Sequence, residues 1–150
     1  MEKVEMNKDM KLSEHFSLGE LTKTNYVTKD GNFPSRVAIE NLTNICENWL
    51  EALRQAQGPL IINSGYRSPE VNKFAGGSST SNHLTGCAVD IRVAGFEQAV
   101  RYASILLDIS DGTKRDYDEL FIEKNKTGSH WIHFAVKPKD NRRKLGFIKV

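Results

Sequence analysis

The sequence predicts a single α+β domain in which helices pack on one side of a small, mainly antiparallel sheet. Apolar residues recur at three- and four-residue steps through residues 34–57 and again through 96–109, which is typical of helices with one buried face. Four segments instead have the alternation or the short apolar runs of strands: 60–63, 87–93, "YDELFIEK" and "WIHFAV". Because a short loop containing Gly128 joins the last two, they indicate a hairpin, and helices combined with hairpins give an α+β fold.

The predicted helices have ordinary signals at their boundaries. Ser17 and Glu20 have capping-box spacing, so a short helix is expected to begin there. The long helix is expected to end at Gly58-Pro59. Ser68 is the expected N-cap of a further short helix, which has a proline in its first turn.

Length and composition are those of one globular domain. The chain has 150 residues, of which 39% are hydrophobic and 27% charged, and no apolar run approaches the ~20 residues that span a bilayer. We therefore expect one monomeric domain over residues 1–150, with flanking tails at 1–11 and 137–150. The N-terminus lacks the apolar stretch of a secretory signal, so we expect synthesis in the cytosol, where Cys46 and Cys87 would be buried, reduced thiols.

The net charge is small and unevenly distributed. A formal charge of +2 does not indicate a nucleic-acid partner, and we expect none. The C-terminal stretch "KPKDNRRKLGFIKV" nevertheless has six Lys/Arg against one Asp. Two interpretations stay open for it: a solvated tail, or a segment that attracts an anionic polymer.

Two strand segments place a residue of a metal-binding type on the face opposite their apolar residues. Alternation separates Asp90 from its apolar neighbours in "CAVDIRV", and it separates His133 from its apolar neighbours in "WIHFAV". His83, in the turn before the first of these strands, can reach the same face because Gly86 frees the backbone. Two imidazoles and a carboxylate suit Zn²⁺ with a fourth position open. The alternative is a set of polar residues on a solvated sheet face.

The same residues resemble a family of cell-wall enzymes. The pattern Ser-x-His-x-x-Gly-x-Ala-x-Asp at 81–90, followed by Trp-x-His at 131–133, is similar to the zinc D-Ala-D-Ala carboxypeptidase family, the M15 peptidases. Within that family it resembles the small domains of phage endolysins and bacterial murein hydrolases, over residues 12–136. The resemblance implies a Hedgehog/D-Ala-D-Ala-peptidase-like fold and Zn²⁺ bound by His83, Asp90 and His133.

The resemblance also implies residues that contact the substrate. Arg67 lies where the family has an arginine that holds a substrate carboxylate or carbonyl, for which a guanidinium offers a matched fork of donors. Ser81 matches a position next to the substrate, and Trp131 would wall the site. Each has an ordinary alternative: a solvated turn arginine, a turn-stabilising serine and a tryptophan packed at a sheet edge.

The general base is the point at which the sequence departs from the family. Many members have an acidic residue three positions before the last ligand, where this chain has His130. An imidazole titrates near neutral pH, so His130 is one candidate. Glu123 is a second candidate, because it would share the face of His133 if it paired with Trp131 across the hairpin. The small endolysin-like subgroup often has a glutamate in a stretch resembling "DELFIEK", and this resemblance favours Glu123. Asp118 is the weakest candidate and is expected to be a solubilising residue at a strand edge.

The activity that the resemblance implies is zinc-dependent hydrolysis of an amide bond in peptidoglycan stem peptides. The enzyme would be a D,D-carboxypeptidase or a murein endopeptidase such as a phage lysin, acting at the cell wall after release or as part of a virion. Two alternatives stay open. One is a non-catalytic, zinc-binding module of the same fold that binds the cell wall or belongs to a virion, and the other is a peptidase of soluble D-amino-acid dipeptides.

Overall fold

A computed structural model describes residues 6–150, which form two β-sheets and five α-helices. The strands are β1 (Lys11–Ser13), β2 (Phe16–Ser17), β3 (Ile62–Ser64), β4 (Ala88–Arg92), β5 (Glu119–Lys124), β6 (His130–Ala135) and β7 (Lys144–Lys149). The helices are α1 (Leu18–Leu21), α2 (Arg36–Ile45), α3 (Glu51–Gln57), α4 (Pro69–Phe74) and α5 (Phe96–Thr113). A π-helical turn (Cys46–Leu50) joins α2 to α3, and a 3₁₀ turn (Asn82–Thr85) precedes β4.

The main sheet has five strands in the order β3-β4-β6-β5-β7. Its first three pairings are antiparallel, whereas β5 pairs with β7 in parallel. β5 and β6 form the predicted hairpin, with Gly128 in its loop at φ +87°. β1 and β2 form a separate two-stranded ribbon. The predicted α+β class with a small, mainly antiparallel sheet is therefore confirmed.

One face of the main sheet carries the hydrophobic core. The fully buried apolar residues of its three central strands include Val89, Ile91, Leu120, Ile132 and Phe134. They pack against apolar side chains of α2, the π-helical turn, α3 and α5, and the ring of Trp49 meets that of Phe134 edge-on at 5.0 Å. Because side chains alternate along a strand, the residues between these apolar ones lie on the opposite face. That second face holds Asp90 and His133, which are directly paired across β4 and β6.

The long helix predicted for 34–57 is present, with one irregular turn. Ser35 caps α2 by accepting a hydrogen bond from the Ala38 N–H at 3.1 Å, and Gly58 ends α3 at φ +89°. Between them, the N–H of Glu51 bonds to the carbonyl of Cys46, five residues earlier, as in a π-helix. The helix thus continues through the irregular turn without a break.

Two glycines allow close backbone approaches around His83, one in the turn that carries it and one in the loop after β3. Gly86 ends the 3₁₀ turn at φ +73°, and a Cβ there would clash with the carbonyl oxygen of Ala38 in α2. A Cβ on Gly65 would likewise clash with the carbonyl oxygen of Leu21. These close backbone approaches require glycine. The first lets the turn that carries His83 lie against α2, and the second lets the loop whose Gly65 carbonyl contacts His83 lie against α1.

The C-terminal segment is part of the main sheet, which corrects the flanking tail predicted for 137–150. β7 pairs with β5 along its whole length. Arg142 and Arg143 form ion pairs with Asp118 and Asp116 at 2.7 and 2.9 Å, so part of the basic run is neutralised within the fold. Charged residues at both ends of β7 are typical of an edge strand, and they concealed the strand in the sequence.

Asp118 lies buried beside this segment and is not the solubilising residue that we expected. Its side chain is 0% exposed. Its carboxylate accepts hydrogen bonds from the backbone N–H, Nε and Nη2 of Arg142, at 3.0, 3.0 and 2.7 Å. Burial by itself raises the pKa of Asp118, but the hydrogen bonds and the charge of Arg142 bring it well below its ordinary value. The ion pair ties the C-terminal segment to the start of β5.

The other whole-chain expectations concern the membrane, the cysteines and the N-terminus. Within residues 6–150, no helix combines the length and the apolar character needed to cross a bilayer. Cys46 and Cys87 are buried and free, as expected. Of the tail predicted at 1–11, residues 1–5 lie outside the described part of the chain, and Lys11 begins β1.

Replacement of Asp118 by Asn is expected to lower the free energy of unfolding at pH 7 by about 2 kcal/mol, the scale of hydrogen bonds to charged groups. Because the pKa of Asp118 falls below 3.8 on folding, its contribution is present above that value and is lost as the pH falls through the folded pKa. Urea unfolding should therefore show a smaller difference in the free energy of unfolding between the wild type and Asp118→Asn at about pH 2 than at pH 7.

Asp116→Asn is the matched control, because its carboxylate is 61% exposed. Its free energy of unfolding should stay within about 0.5 kcal/mol of the wild type. An equal loss of unfolding free energy in Asp118→Asn at both pH values would contradict the assignment of a buried, ionised carboxylate.

Candidate metal centre

The three residues predicted to bind a metal converge on the polar face of the main sheet. His83 comes from the 3₁₀ turn, Asp90 from β4 and His133 from β6, and the last two are directly paired across the strands. One donor atom from each lies within 4.8 Å of the others. Asp90 Oδ1 is 3.4 Å from His83 Nε2 and 3.1 Å from His133 Nδ1.

Each imidazole has a hydrogen-bond partner on the nitrogen that faces away from Asp90. His83 Nδ1 is 2.6 Å from the carbonyl oxygen of Gly65, so Nδ1 carries the proton and Nε2 is free to bind a cation. His133 Nε2 is 3.0 Å from Glu119 Oε1, which leaves Nδ1 toward Asp90. The two rings therefore present different nitrogens to the same point.

The centre is buried, and its charges are strongly coupled. His83 is 2% exposed and Asp90 7%. Burial by itself raises the pKa of Asp90, but the imidazoles of His83 and His133 bring it well below its ordinary value. Burial lowers the pKa of His133, whereas its hydrogen bonds to Asp90 and Glu119 raise it to about 10. Metal ligation needs a neutral imidazole, so a divalent ion would displace a proton from His133.

The donor set fits a divalent metal ion. Zn²⁺ binds imidazole nitrogen and carboxylate oxygen, and three protein ligands leave a fourth position for water or substrate. Both histidines also have the second hydrogen bond that orients metal ligands. The cluster therefore has the chemistry and the proximity of an open metal site.

Arg67 lies beside the centre. Its Nη2 is 3.2 Å from Asp90 Oδ2, and its Nε donates to Ser64 Oγ at 3.1 Å. The side chain is only 17% exposed, so the alternative of a solvated turn arginine is wrong. These two contacts hold the guanidinium next to Asp90, a candidate ligand.

Glu123 and Trp131 lie next to the centre, and the strand pairing is the one that the sequence analysis considered for Glu123. Glu123 pairs with Trp131, and Phe121 pairs with His133. Trp131 Nε1 donates to Glu123 Oε1 at 3.0 Å, and the same oxygen is 3.9 Å from His133 Nδ1. Burial raises the pKa of Glu123 above its ordinary value. A carboxylate is thus held close to the donor atom of His133.

The structure does not bring His130 to the centre. Its ring lies 5.6 Å from that of Phe96 and 6.5 Å from that of Phe147, at the end of β6. His130 and His133 are three residues apart, so strand alternation puts them on opposite faces of the sheet. This placement removes His130 from the candidates for the base. The signal that excludes it was already present in the sequence, in the same alternation that selected His133.

Ser81 has the turn-stabilising contact that was the alternative to a substrate contact. Its Oγ accepts a hydrogen bond from the His83 N–H at 3.2 Å. The residue also lines one of the cavities beside the centre, so both interpretations of Ser81 are compatible with its position.

The sequence reasoning missed two polar residues of the site, Glu119 and Asn82. Glu119 bonds to His133, and Asn82 Nδ2 donates to Glu119 Oε1 at 2.8 Å. Glu119 lies four residues before Glu123 on the same strand face, so the register argument would have found it. Asn82 has no comparable signal, because its position depends on how the turn docks on β5.

Two cavities border the metal centre. One, of about 390 Å³, is lined by Asp90, Arg67 and Trp131 together with Lys23, Tyr26 and other residues. The second, of about 610 Å³, is lined by His133, Glu119 and Glu123 together with Ser78, Thr80 and other residues. Since Asp90 faces the first cavity and His133 the second, the centre lies between them.

A family model described as Peptidase M15 matches residues 14–118, more than half of the chain. The chain belongs to the M15 peptidase family. A relative, the zinc D-Ala-D-Ala carboxypeptidase of Streptomyces albus G, is 34% identical over 80 residues. That match covers 51% of this chain and 31% of the relative, so the chain spans less than a third of the relative's length.

In this member of the M15 family, the segment matched by the family model contains two of the three candidate ligands. His83 and Asp90 lie within it, whereas Glu123 and His133 follow its end at Asp118. The pairing of β6 with β4 brings His133 to the other two. Sheet pairing, and not the matched segment alone, completes the centre.

Replacement of His83, Asp90 or His133 by Ala is expected to abolish stoichiometric binding of Zn²⁺, because two ligands do not hold the ion tightly. Elemental analysis after gel filtration would measure the zinc content of each variant. His130→Ala is the control and should keep one zinc per chain, since its ring lies on the other face. Full zinc content in the triple variant would exclude the cluster as the metal site.

Proposed function

We propose that this M15 peptidase binds Zn²⁺ through His83, Asp90 and His133 and hydrolyses an amide bond in peptidoglycan stem peptides. The observation that carries the proposal is the position of the Glu123 carboxylate beside an open three-ligand cluster. The relative from Streptomyces albus G is named as a zinc D-Ala-D-Ala carboxypeptidase, which supports zinc as the metal and hydrolysis of an amide bond as the reaction.

The residues of the centre have complementary roles in such a hydrolysis. A bound zinc ion would lower the pKa of water toward ~7 and polarise the scissile carbonyl. Glu123, with Oε1 held by the Trp131 Nε1–H, accepts the proton of the attacking water and later delivers it to the leaving nitrogen. Arg67, fixed beside Asp90, offers guanidinium N–H groups to a carbonyl or carboxylate of the substrate.

Geometry favours Glu123 over the other candidates for the base. His130 lies on the opposite face of the sheet, against Phe96. The carboxylate of Asp118 is enclosed by Arg142 and is fully buried. Glu123 is the candidate whose carboxylate lies near the donor atom of a ligand.

We further propose that the bond cut is internal to the peptide, as in an endopeptidase. A carboxypeptidase has to close its site just beyond the terminal residue, around the carboxylate. Here the centre lies between cavities of about 390 and 610 Å³, and both volumes fall in the usual range of ligand pockets. Peptide therefore has room on both sides of the scissile bond.

Replacement of Glu123 by Gln is expected to lower kcat by about 10²- to 10⁴-fold, the usual contribution of a general base, without loss of zinc. Steady-state release of amines from purified peptidoglycan, together with elemental analysis, would measure both quantities. His130→Ala is the control and should keep the wild-type rate. An unchanged kcat in Glu123→Gln would remove Glu123 from the mechanism.

A synthetic stem peptide amidated at its C-terminus is expected to be cleaved about as fast as the free acid, because an internal cut does not need a terminal carboxylate. Mass spectrometry of the products, with and without a chelator, would identify the bond. Release of a single terminal residue from the free acid alone would instead establish a carboxypeptidase. Co-sedimentation with peptidoglycan without any chelator-sensitive cleavage would establish a binding module and overturn the enzymatic proposal.

A further inference from the structure

We propose that Glu119 is a positioning residue that sets which nitrogen of His133 binds the metal, and that the C-terminal segment holds Glu119 in place. The inference rests on the proposed function, because it concerns the zinc ligand His133. It adds to that function a carboxylate outside the ligand set, together with the residues that fix it.

The contact between Glu119 and His133 determines which nitrogen of the imidazole is left to bind the metal. Glu119 Oε1 is 3.0 Å from Nε2, and Nδ1 on the other side of the ring is 3.1 Å from Asp90 Oδ1. A proton on Nε2 that is donated to Glu119 leaves the lone pair of Nδ1 for the metal. The ring of Phe121 lies parallel to the imidazole, with 5.7 Å between centroids and 15° between planes, and limits its rotation.

The two histidine ligands have opposite arrangements. His83 donates from Nδ1 to the carbonyl oxygen of Gly65 and presents Nε2. His133 donates from Nε2 to Glu119 and presents Nδ1. A backbone carbonyl fixes the first ring, whereas the second depends on a side chain. Removal of Glu119 would therefore free one ligand of the centre and leave the other unchanged.

Glu119 is itself held by a chain of polar contacts. Asn82 Nδ2 donates to Glu119 Oε1 at 2.8 Å and to Asp118 Oδ2 at 2.9 Å. Asn82 immediately precedes His83, so its amide links the turn that carries His83 to the carboxylate that contacts His133. Only 19% of the Glu119 side chain is exposed, so water can stabilise few other conformations of this side chain.

The adjacent carboxylates of Asp118 and Glu119 require positive charge, and the C-terminal segment supplies it. Arg142 Nη2 is 2.7 Å from Asp118 Oδ2 and 3.5 Å from Glu119 Oε2. Lys137 Nζ is 3.4 Å from Asp118 Oδ1. Without these cations the two carboxylates would repel each other. The residues just before β7 thus support a metal ligand on β6.

Glu119 is distinct from the proposed base. Glu123 Oε1 lies 3.9 Å from Nδ1 of His133, on the side of the ring that faces Asp90, and is bonded to Trp131. Glu119 contacts the opposite nitrogen. Loss of Glu119 should therefore lower metal affinity, whereas loss of Glu123 should lower turnover at full zinc occupancy.

The test is the zinc affinity of Glu119→Ala and Glu119→Gln, measured by competition with a chromophoric chelator on protein whose fold is checked by circular dichroism. Glu119→Ala is expected to bind zinc about 10- to 100-fold more weakly, the usual effect of losing a partner of a ligating histidine. Glu119→Gln should bind nearly as tightly as the wild type, because its amide oxygen still accepts from Nε2–H. Glu40→Ala is the control, since Glu40 is an exposed helical glutamate paired with Arg36.

A second measurement does not depend on the folding of any variant. Long-range ¹H–¹⁵N spectra of the zinc-loaded wild type report which nitrogen of His133 carries the proton, and we expect a proton on Nε2 and zinc on Nδ1. The reverse assignment, or wild-type affinity in a folded Glu119→Ala, would overturn the role of Glu119 while leaving the metal site intact. A wild-type protein that binds no zinc would instead overturn the proposed function.

Discussion

The buried carboxylate of Asp90 is the constraint on which the rest of the centre depends. A carboxylate removed from water is costly unless cations or hydrogen-bond donors surround it. Asp90 has three such neighbours: His83, His133 and Arg67. They come from a turn, from the neighbouring strand and from the loop after β3. The neighbours that stabilise this one buried charge are therefore the other two candidate metal ligands and the guanidinium proposed to bind substrate.

Strand alternation lets the same sheet carry a dry core and a polar centre. On β6, Ile132 and Phe134 are fully buried against the helices, while His133 between them points to the other face. The core therefore fixes the backbone of Asp90 and His133, two of the residues proposed to hold the metal. Ligands placed on paired strands keep their separation better than ligands placed on loops, which favours a preformed site.

The site also draws support from residues that the family model does not match. The match ends at Asp118, and Glu119, Glu123 and His133 follow it. Arg142, close to the C-terminus, neutralises Asp118 and approaches Glu119. Arg142 thus links the edge of the sheet to the carboxylate that is proposed to orient His133. This linkage connects the basic C-terminal run to the metal centre.

The sequence by itself determined the α+β class, the helices, the hairpin and the likeness of the ligand set to a metal site, because periodicity, capping and alternation are local properties. The same alternation, applied to His130, would have excluded it. Only the tertiary structure decided that residues 144–149 form a strand, that Asp118 is buried, and that Asn82 and Glu119 lie beside the candidate ligands. Those features depend on contacts between segments that are distant in the sequence. Asp118 and Arg142, for example, are 24 positions apart. A carboxylate beside a strand looks the same in the sequence whether water or a distant arginine neutralises it.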